Sequence, residues 1–144
     1  MIGVALLILE VVGVGLFLVC GQTIFSLMGS VTPTGGNLPV VVDEPTQIAT
    51  ITFTFTPHNT GYLAARMNLG FGFTLTDGSF MVRNTTTLYL TPGSQYTVDL
   101  SIKVPVAKIQ EYANAKGTLD TYTSIITLND FVRIDYNSMA EGGG

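Results

Sequence analysis

Residues Ile2 to Met28 read IGVALLILEVVGVGLFLVCGQTIFSLM, and Glu10 is the one charged side chain among them. As a helix this run is about 40 Å long, more than the roughly 30 Å of a bilayer's hydrocarbon core. A chain that carries such a segment must bury it in lipid or against other helices. Residues 1–30 are therefore predicted to form a transmembrane or filament-core helix. Gly29-Ser30, followed by Thr32-Pro33-Thr34-Gly35-Gly36, predicts its end. Residues 31–46 then read as a linker and a first strand around Leu38 to Val42.

Other readings of the run remain open. A cleaved secretory signal has a shorter apolar core, a basic residue before it and a small-x-small site after it. None of these is found around this run. A lipoprotein signal ending at Cys20 would need small residues where Leu18 and Val19 stand. The plain alternative for Cys20 is a buried thiol. A third reading is the helix of a filament subunit, packed among its copies.

Glu10 has two readings. It lies near an interface or is protonated, or it pairs with another chain. Gly13, Gly15 and Gly21 are small surfaces where a second helix can approach closely, or ordinary glycines of a membrane helix. The expected partners are other copies of the chain or integral membrane subunits. The first basic residue is Arg66, so flanking charge says little about orientation.

After the linker the hydrophobic period changes to two. Ile51, Phe53 and Phe55 alternate with Thr50, Thr52, Thr54 and Thr56, which predicts a half-buried strand. Tyr62 to Leu75 repeats the pattern, with Gly70 and Gly72 marking close packing or a bulge. Asp77-Gly78 predicts a hairpin turn and Phe80 to Leu90 the return strand. Thr91-Pro92-Gly93-Ser94 is the next turn. Tyr96 to Val104 alternates again until Pro105. Val106 to Lys116 is the one helical candidate, stopped by Gly117. Thr118 to Leu128 and Phe131 to Tyr136 complete about seven strands. The fold expected for residues 47–144 is mainly β, an Ig-like antiparallel sandwich. Glu141-Gly142-Gly143-Gly144 reads as a flexible end or short extension.

Composition limits function. Charged residues are 11% of the 144, against about 25% in ordinary soluble domains. The net charge is −4 and the six basic residues are scattered, so no basic patch for nucleic acid is expected. The acidic balance argues against docking on anionic lipid headgroups. This Thr-rich, Lys-poor surface places the sandwich outside the cytoplasm. A single cysteine excludes an internal disulfide and a cysteine metal cluster within one chain.

No catalytic constellation is legible. His58, the only histidine, lies in a predicted turn, Pro57 to Gly61, without a local nucleophile motif. Asp43, Glu44, Asp77, Asp99, Asp120, Asp130 and Asp135 read as solvated loop charges rather than calcium ligands, because no EF-hand spacing is present. Gly70-Phe71-Gly72 lies inside a strand, the wrong context for a nucleotide loop. Neither cofactor nor metal is expected. Asn84-Thr85-Thr86 is a sequon, so Asn84 is a candidate glycosylation site on an extracytoplasmic domain.

An apolar run from Ile2 to Met28 leading into alternating strands from Ile48 onward resembles archaeal type IV pilin-like proteins. These include archaellins, adhesion pilins and the membrane-anchored sandwich proteins of the archaellum stator. The resemblance covers the whole chain as architecture. It implies helices bundled in a filament core or membrane with the sandwiches facing out. The short basic leader of that family does not precede the run, which implies either mature numbering or an unprocessed anchor, and Met1 favours the anchor. Glu10 stands later than the glutamate near the start of bacterial pilins, so that role is not carried over. Ile48 to Lys108 is also similar to the water-stress domains of late-embryogenesis proteins, through the turn His58-Asn59-Thr60-Gly61 and the later Pro92-Gly93. Such domains bind or build. The expected function is thus a non-catalytic structural subunit of a cell-surface assembly. The alternatives are a single-span accessory subunit of a larger membrane complex and a membrane-anchored binding module.

Overall fold

The computed structural model describes residues 2–31, 38–114 and 117–141. Helix α1 (Ile2–Val31) is followed by β1 (Val40–Asp43), β2 (Ile48–Phe55), β3 (Ala65–Leu75), β4 (Met81–Leu90), β5 (Val98–Pro105), α2 (Val106–Ala113), β6 (Gly117–Thr127) and β7 (Val132–Glu141). The seven strands form two antiparallel sheets, β1-β2-β5 and β4-β3-β6-β7. This is the expected two-sheet sandwich. In constant-type Ig domains the fourth strand joins the sheet of the first two. Here β4 stays beside β3, because the turn at Asp77-Gly78 folds it straight back, with Gly78 at φ 70°.

The period of two positions the core. Ala49, Ile51 and Phe55 of β2 face inward, and so do Leu100, Ile102 and Val104 of β5. Met67, Leu69, Phe71, Phe73 and Leu75 of β3 and Ile125 of β6 meet them from the other sheet. Phe53 stacks between Phe55 and Phe71, with ring centroids 4.6 and 5.5 Å apart. Gly72 lies on the outer face of β3. A Cβ there would sit 2.8 Å from Asp120 Oδ1, so the glycine leaves room for the Arg83–Asp120 ion pair (2.5 Å) that bridges β4 and β6.

Several expected boundaries move. The strand expected from Tyr62 begins at Ala65, because residues 57–64 are held as a loop against α1. The expected helix end at Gly29-Ser30 is in fact helical to Val31, since Ser30 Oγ donates to the Leu27 carbonyl (2.8 Å). Residues 32–37, with most of the predicted linker, lie outside the described residues. Helix α2 stops at Ala113 with Asn114 as its cap, and Gly117 does not terminate it. Gly117 opens β6, where a Cβ would lie 3.1 Å from the Thr74 carbonyl oxygen. Strand β7 runs to Glu141, past the expected end at Tyr136, because it pairs along β6 as far as Thr118. Residues 142–144 of the expected flexible end lie outside the described residues.

The connections β2–β3, β4–β5 and β6–β7 all emerge at one end of the sandwich, since Ala65 pairs with both Leu90 and Thr127 and Phe55 pairs with Val98. Helix α1 docks at this end. From Val4 to Leu18 its side chains are exposed all round, whereas Cys20, Thr23, Ile24 and Leu27 are buried. These four follow helical spacing and form one stripe. Ile24 and Leu27 belong to the sandwich core itself.

Candidate functional site

The feature that organises the loop end is the seam between α1 and residues 57–64. Thr23 and Ser30 stand seven residues apart, two turns along one helix face. The Thr23 hydroxyl donates back to the Val19 carbonyl (3.1 Å) and accepts the backbone N–H of Leu63 (3.2 Å). Ser30 repeats the device. Its hydroxyl donates to Leu27 O and accepts the backbone N–H of His58 (3.0 Å). Gly61 permits the contact, since a Cβ on it would stand 2.4 Å from Thr23 Cα.

Asn59 shapes the loop from within. Its side chain is fully buried. The amide nitrogen donates to the carbonyls of Leu63 (2.8 Å) and Leu90 (3.1 Å), and the amide oxygen accepts from Gly61 N (3.0 Å). Its backbone N–H donates to Ser94 O, and its carbonyl accepts from Gly93 N. One asparagine thus ties the β2–β3 loop to the β4–β5 turn.

The helix residues singled out from the sequence lie on the unburied part of α1. Glu10, Gly13 and Gly15 are in the exposed stretch, and Gly21 is half-buried at the start of the seam. A Cβ on any of the three glycines would meet nothing within 4 Å. By helical geometry Gly21 lies about 20° and Gly13 about 60° from Glu10 around the axis, while Gly15 points about 140° away. The docked stripe is centred about 90° from Glu10. Glu10 and Gly21 therefore share a face outside the docked stripe, Gly13 lies about 30° from the stripe's line on the exposed length of the helix, and Gly15 belongs to another face.

His58 is half-buried rather than exposed, in an isolated bridge to Gln95. Asn84 is exposed on β4, but its amide nitrogen, the atom a glycan would take, donates to Ser101 O (3.0 Å). Among the described residues no three of His, Cys, Asp and Glu gather at one point. The acidic groups serve local structure. The Ser79 amide and hydroxyl hold Asp77 below its ordinary value in the β3–β4 turn. The Ser124 hydroxyl, facing Asp135 across the β6–β7 ladder, and then the Arg133 guanidinium hold the Asp135 carboxyl low. Ser124 Oγ is buried and makes no other hydrogen bond among the described residues. Asp135 and Tyr122 in turn raise Arg133. Arg66 and Asp130 pair at 2.9 Å on the rim of an open cavity of about 200 Å³ that Tyr89 and Asn129 also line. Leu128, Asn129 and Asp130 all have positive φ in the β6–β7 turn.

Thr23, Ser30, Asn59 and Gly61 were not legible as a set. The available signal was two hydroxyls seven residues apart near the end of an otherwise apolar run.

No protein-family model matches the chain, and no curated protein sequence does. Among solved structures the chain is similar to Bacteroides uniformis β-glucuronidase 2, at 14% identity and a TM-score of 0.50. That match covers 74% of this chain and 12% of the glucuronidase, so the chain spans a small part of that enzyme's length. The likeness is one of fold. A protein from Archaeoglobus fulgidus also matches, at 12% identity and a TM-score of 0.41, over 75% of this chain and 92% of that one.

Proposed function

We propose that the protein is a non-catalytic structural subunit of a membrane or cell-surface assembly. Helix α1 crosses the bilayer and pairs there with a helix of another subunit, and the sandwich lies on the extracytoplasmic side. The observation that carries this reading is where Glu10 stands relative to the seam. Ten residues, about 15 Å of helix, separate it from Cys20, where the sandwich begins. That distance is half of a hydrocarbon core of roughly 30 Å. A span that ends at the seam puts the Glu10 carboxyl near the midplane, where an unpartnered ionisable group is costly and usually faces a protein neighbour. Gly21, about 20° from Glu10 around the axis, lets a second helix come close. The nearly uniform apolar surface from Val4 to Leu18 suits surroundings of lipid and helices on every side.

The test is size analysis of the full-length protein extracted in mild detergent, with mass spectrometry of everything that migrates with it. Wild type is expected in a complex, and Glu10→Leu is expected to release it as a monomer. Copies of this chain alone would identify a homopolymer of the pilin-like kind. Polytopic proteins at fixed stoichiometry would identify an accessory subunit. A wild-type monomer would overturn the reading.

A further inference from the structure

We propose that the loop end of the sandwich rests in the headgroup layer of the bilayer that α1 crosses, with Tyr62 and Phe25 as its interfacial anchors. This rests on the membrane reading above and adds a defined lipid contact and a fixed domain orientation. The lipid-type surface of α1 continues to Phe17 and Leu18, which are 77% and 64% exposed. The sandwich begins at Cys20 with no spacer between. A hydrocarbon core that holds Leu18 leaves Thr23 about 7.5 Å beyond it, within the headgroup zone. Thr23 is the residue that Gly61 and Leu63 touch. Tyr62 lies between those two and is 68% exposed, and Phe25 on α1 is 75% exposed. Aromatic side chains gather at this depth because an apolar ring and a polar rim suit it.

The charge distribution supports the same orientation independently. Residues 57–64 and 91–97 contain no Asp, Glu, Lys or Arg, and Tyr96 in the second loop is also exposed. In the β6–β7 turn Asp130 is paired with Arg66, and the neighbouring Phe131 is exposed. Asp43, Glu44 and Asp77 instead lie in turns at the opposite end. The loops of one end can therefore enter the interface without stripping water from an unpaired charge, with Asp99 on the strand behind them held by the Thr54 hydroxyl, and the turns of the other end cannot. The seam's two hydroxyl contacts and the core residues Ile24 and Leu27 make the attachment rigid, so the orientation follows the helix. The turn carboxylates Asp43, Glu44 and Asp77 are then held away from anionic headgroups, and the sequence expectation that acidity opposes lipid docking applies to them.

The chain has no tryptophan, so a single introduced one reports alone. Full-length Phe17→Trp, Tyr62→Trp and Met81→Trp variants, the last at the far end, are reconstituted into phosphatidylcholine vesicles with acyl chains brominated at shallow or deep positions. The expected result is loss of Phe17→Trp emission with both lipids. Tyr62→Trp should lose emission, with a blue shift, in the shallow-brominated lipid, and Met81→Trp should stay unchanged. Tyr96→Trp is a second reporter for the loop end should Tyr62→Trp fold poorly. Quenching at Phe17→Trp without quenching at the loop end overturns the proposal and leaves the anchor standing. No quenching at Phe17→Trp overturns the membrane reading, and this proposal with it. Quenching at Met81→Trp equal to that at the loop end overturns the orientation.

Discussion

At the scale of single residues, the seam depends on the absence of one atom and the presence of one amide. Gly61→Ala places a Cβ against the Thr23 backbone, which cannot move without lifting the helix. Such overpacking is expected to cost about 1–3 kcal/mol, read as a lower midpoint in thermal denaturation of the detergent-solubilised protein. Asn59→Ala leaves two buried carbonyls and the Gly61 N–H without their partner. The expected loss is about 1–3 kcal/mol for each buried group left unpaired. Asn59→Asp should not recover it, because the buried carboxylate that accepts from Gly61 N sets its second oxygen against the Leu63 and Leu90 carbonyls. An Asp variant as stable as wild type would show that the two bonds to the carbonyls contribute nothing. Thr23 and Ser30 hold a second lesson. A hydroxyl that satisfies its own helix carbonyl still has lone pairs to offer, so a polar residue in an apolar helix can dock another element without orphaning any group.

At the scale of elements, the outer face of the larger sheet is held by side chains from neighbouring strands. Arg83 and Asp120 reach across Gly72, and Arg133, Asp135 and Tyr122 cluster between β6 and β7. The folded carboxyl of Asp135 titrates below its ordinary 3.8 because Ser124 and Arg133 favour the charged form. A depressed folded value means that the unfolded chain binds the proton more readily. The contribution to stability is therefore present above the ordinary value and is lost as pH falls through the folded one. Acid unfolding of wild type should steepen below about pH 4, and Asp135→Asn should flatten that limb by lowering stability at neutral pH while leaving it nearly unchanged at low pH. An identical acid limb in both proteins would remove Asp135 from the account. The sequence located these elements because their signals are local. Alternation fixed the inward residues of β2, β3 and β5, and Asp77-Gly78 fixed the β3–β4 turn. The ends of α2 and β7 were not legible. Gly117 carries the look of a helix stop, but its smallness is used against the Thr74 carbonyl, a contact made only once β6 lies beside β3.

At the scale of the whole molecule, α1 is shared between two environments, and the sandwich core is incomplete without it. Leu27 is fully buried in that core. Leu27→Ala should cost about 2–5 kcal/mol, and because the helix end and the sheets share one core, far-UV and near-UV signals should be lost in a single transition. A variant whose sandwich melts at the wild-type temperature would show that the helix only adheres to the surface. The sequence by itself determined a long apolar helix, a period-two domain of seven strands, most turns between them and the position of Glu10 within the helix. Each of these is written in spacing of a few residues. Only the tertiary structure decided how far the helix belongs to the sandwich and which end of the domain it leaves from. The bonds that set this join Ser30 to His58 and Thr23 to Leu63, residues 28 and 40 positions apart. A hydroxyl in a helix does not reveal which distant backbone amide it will accept until the two sheets have closed and brought that amide to it.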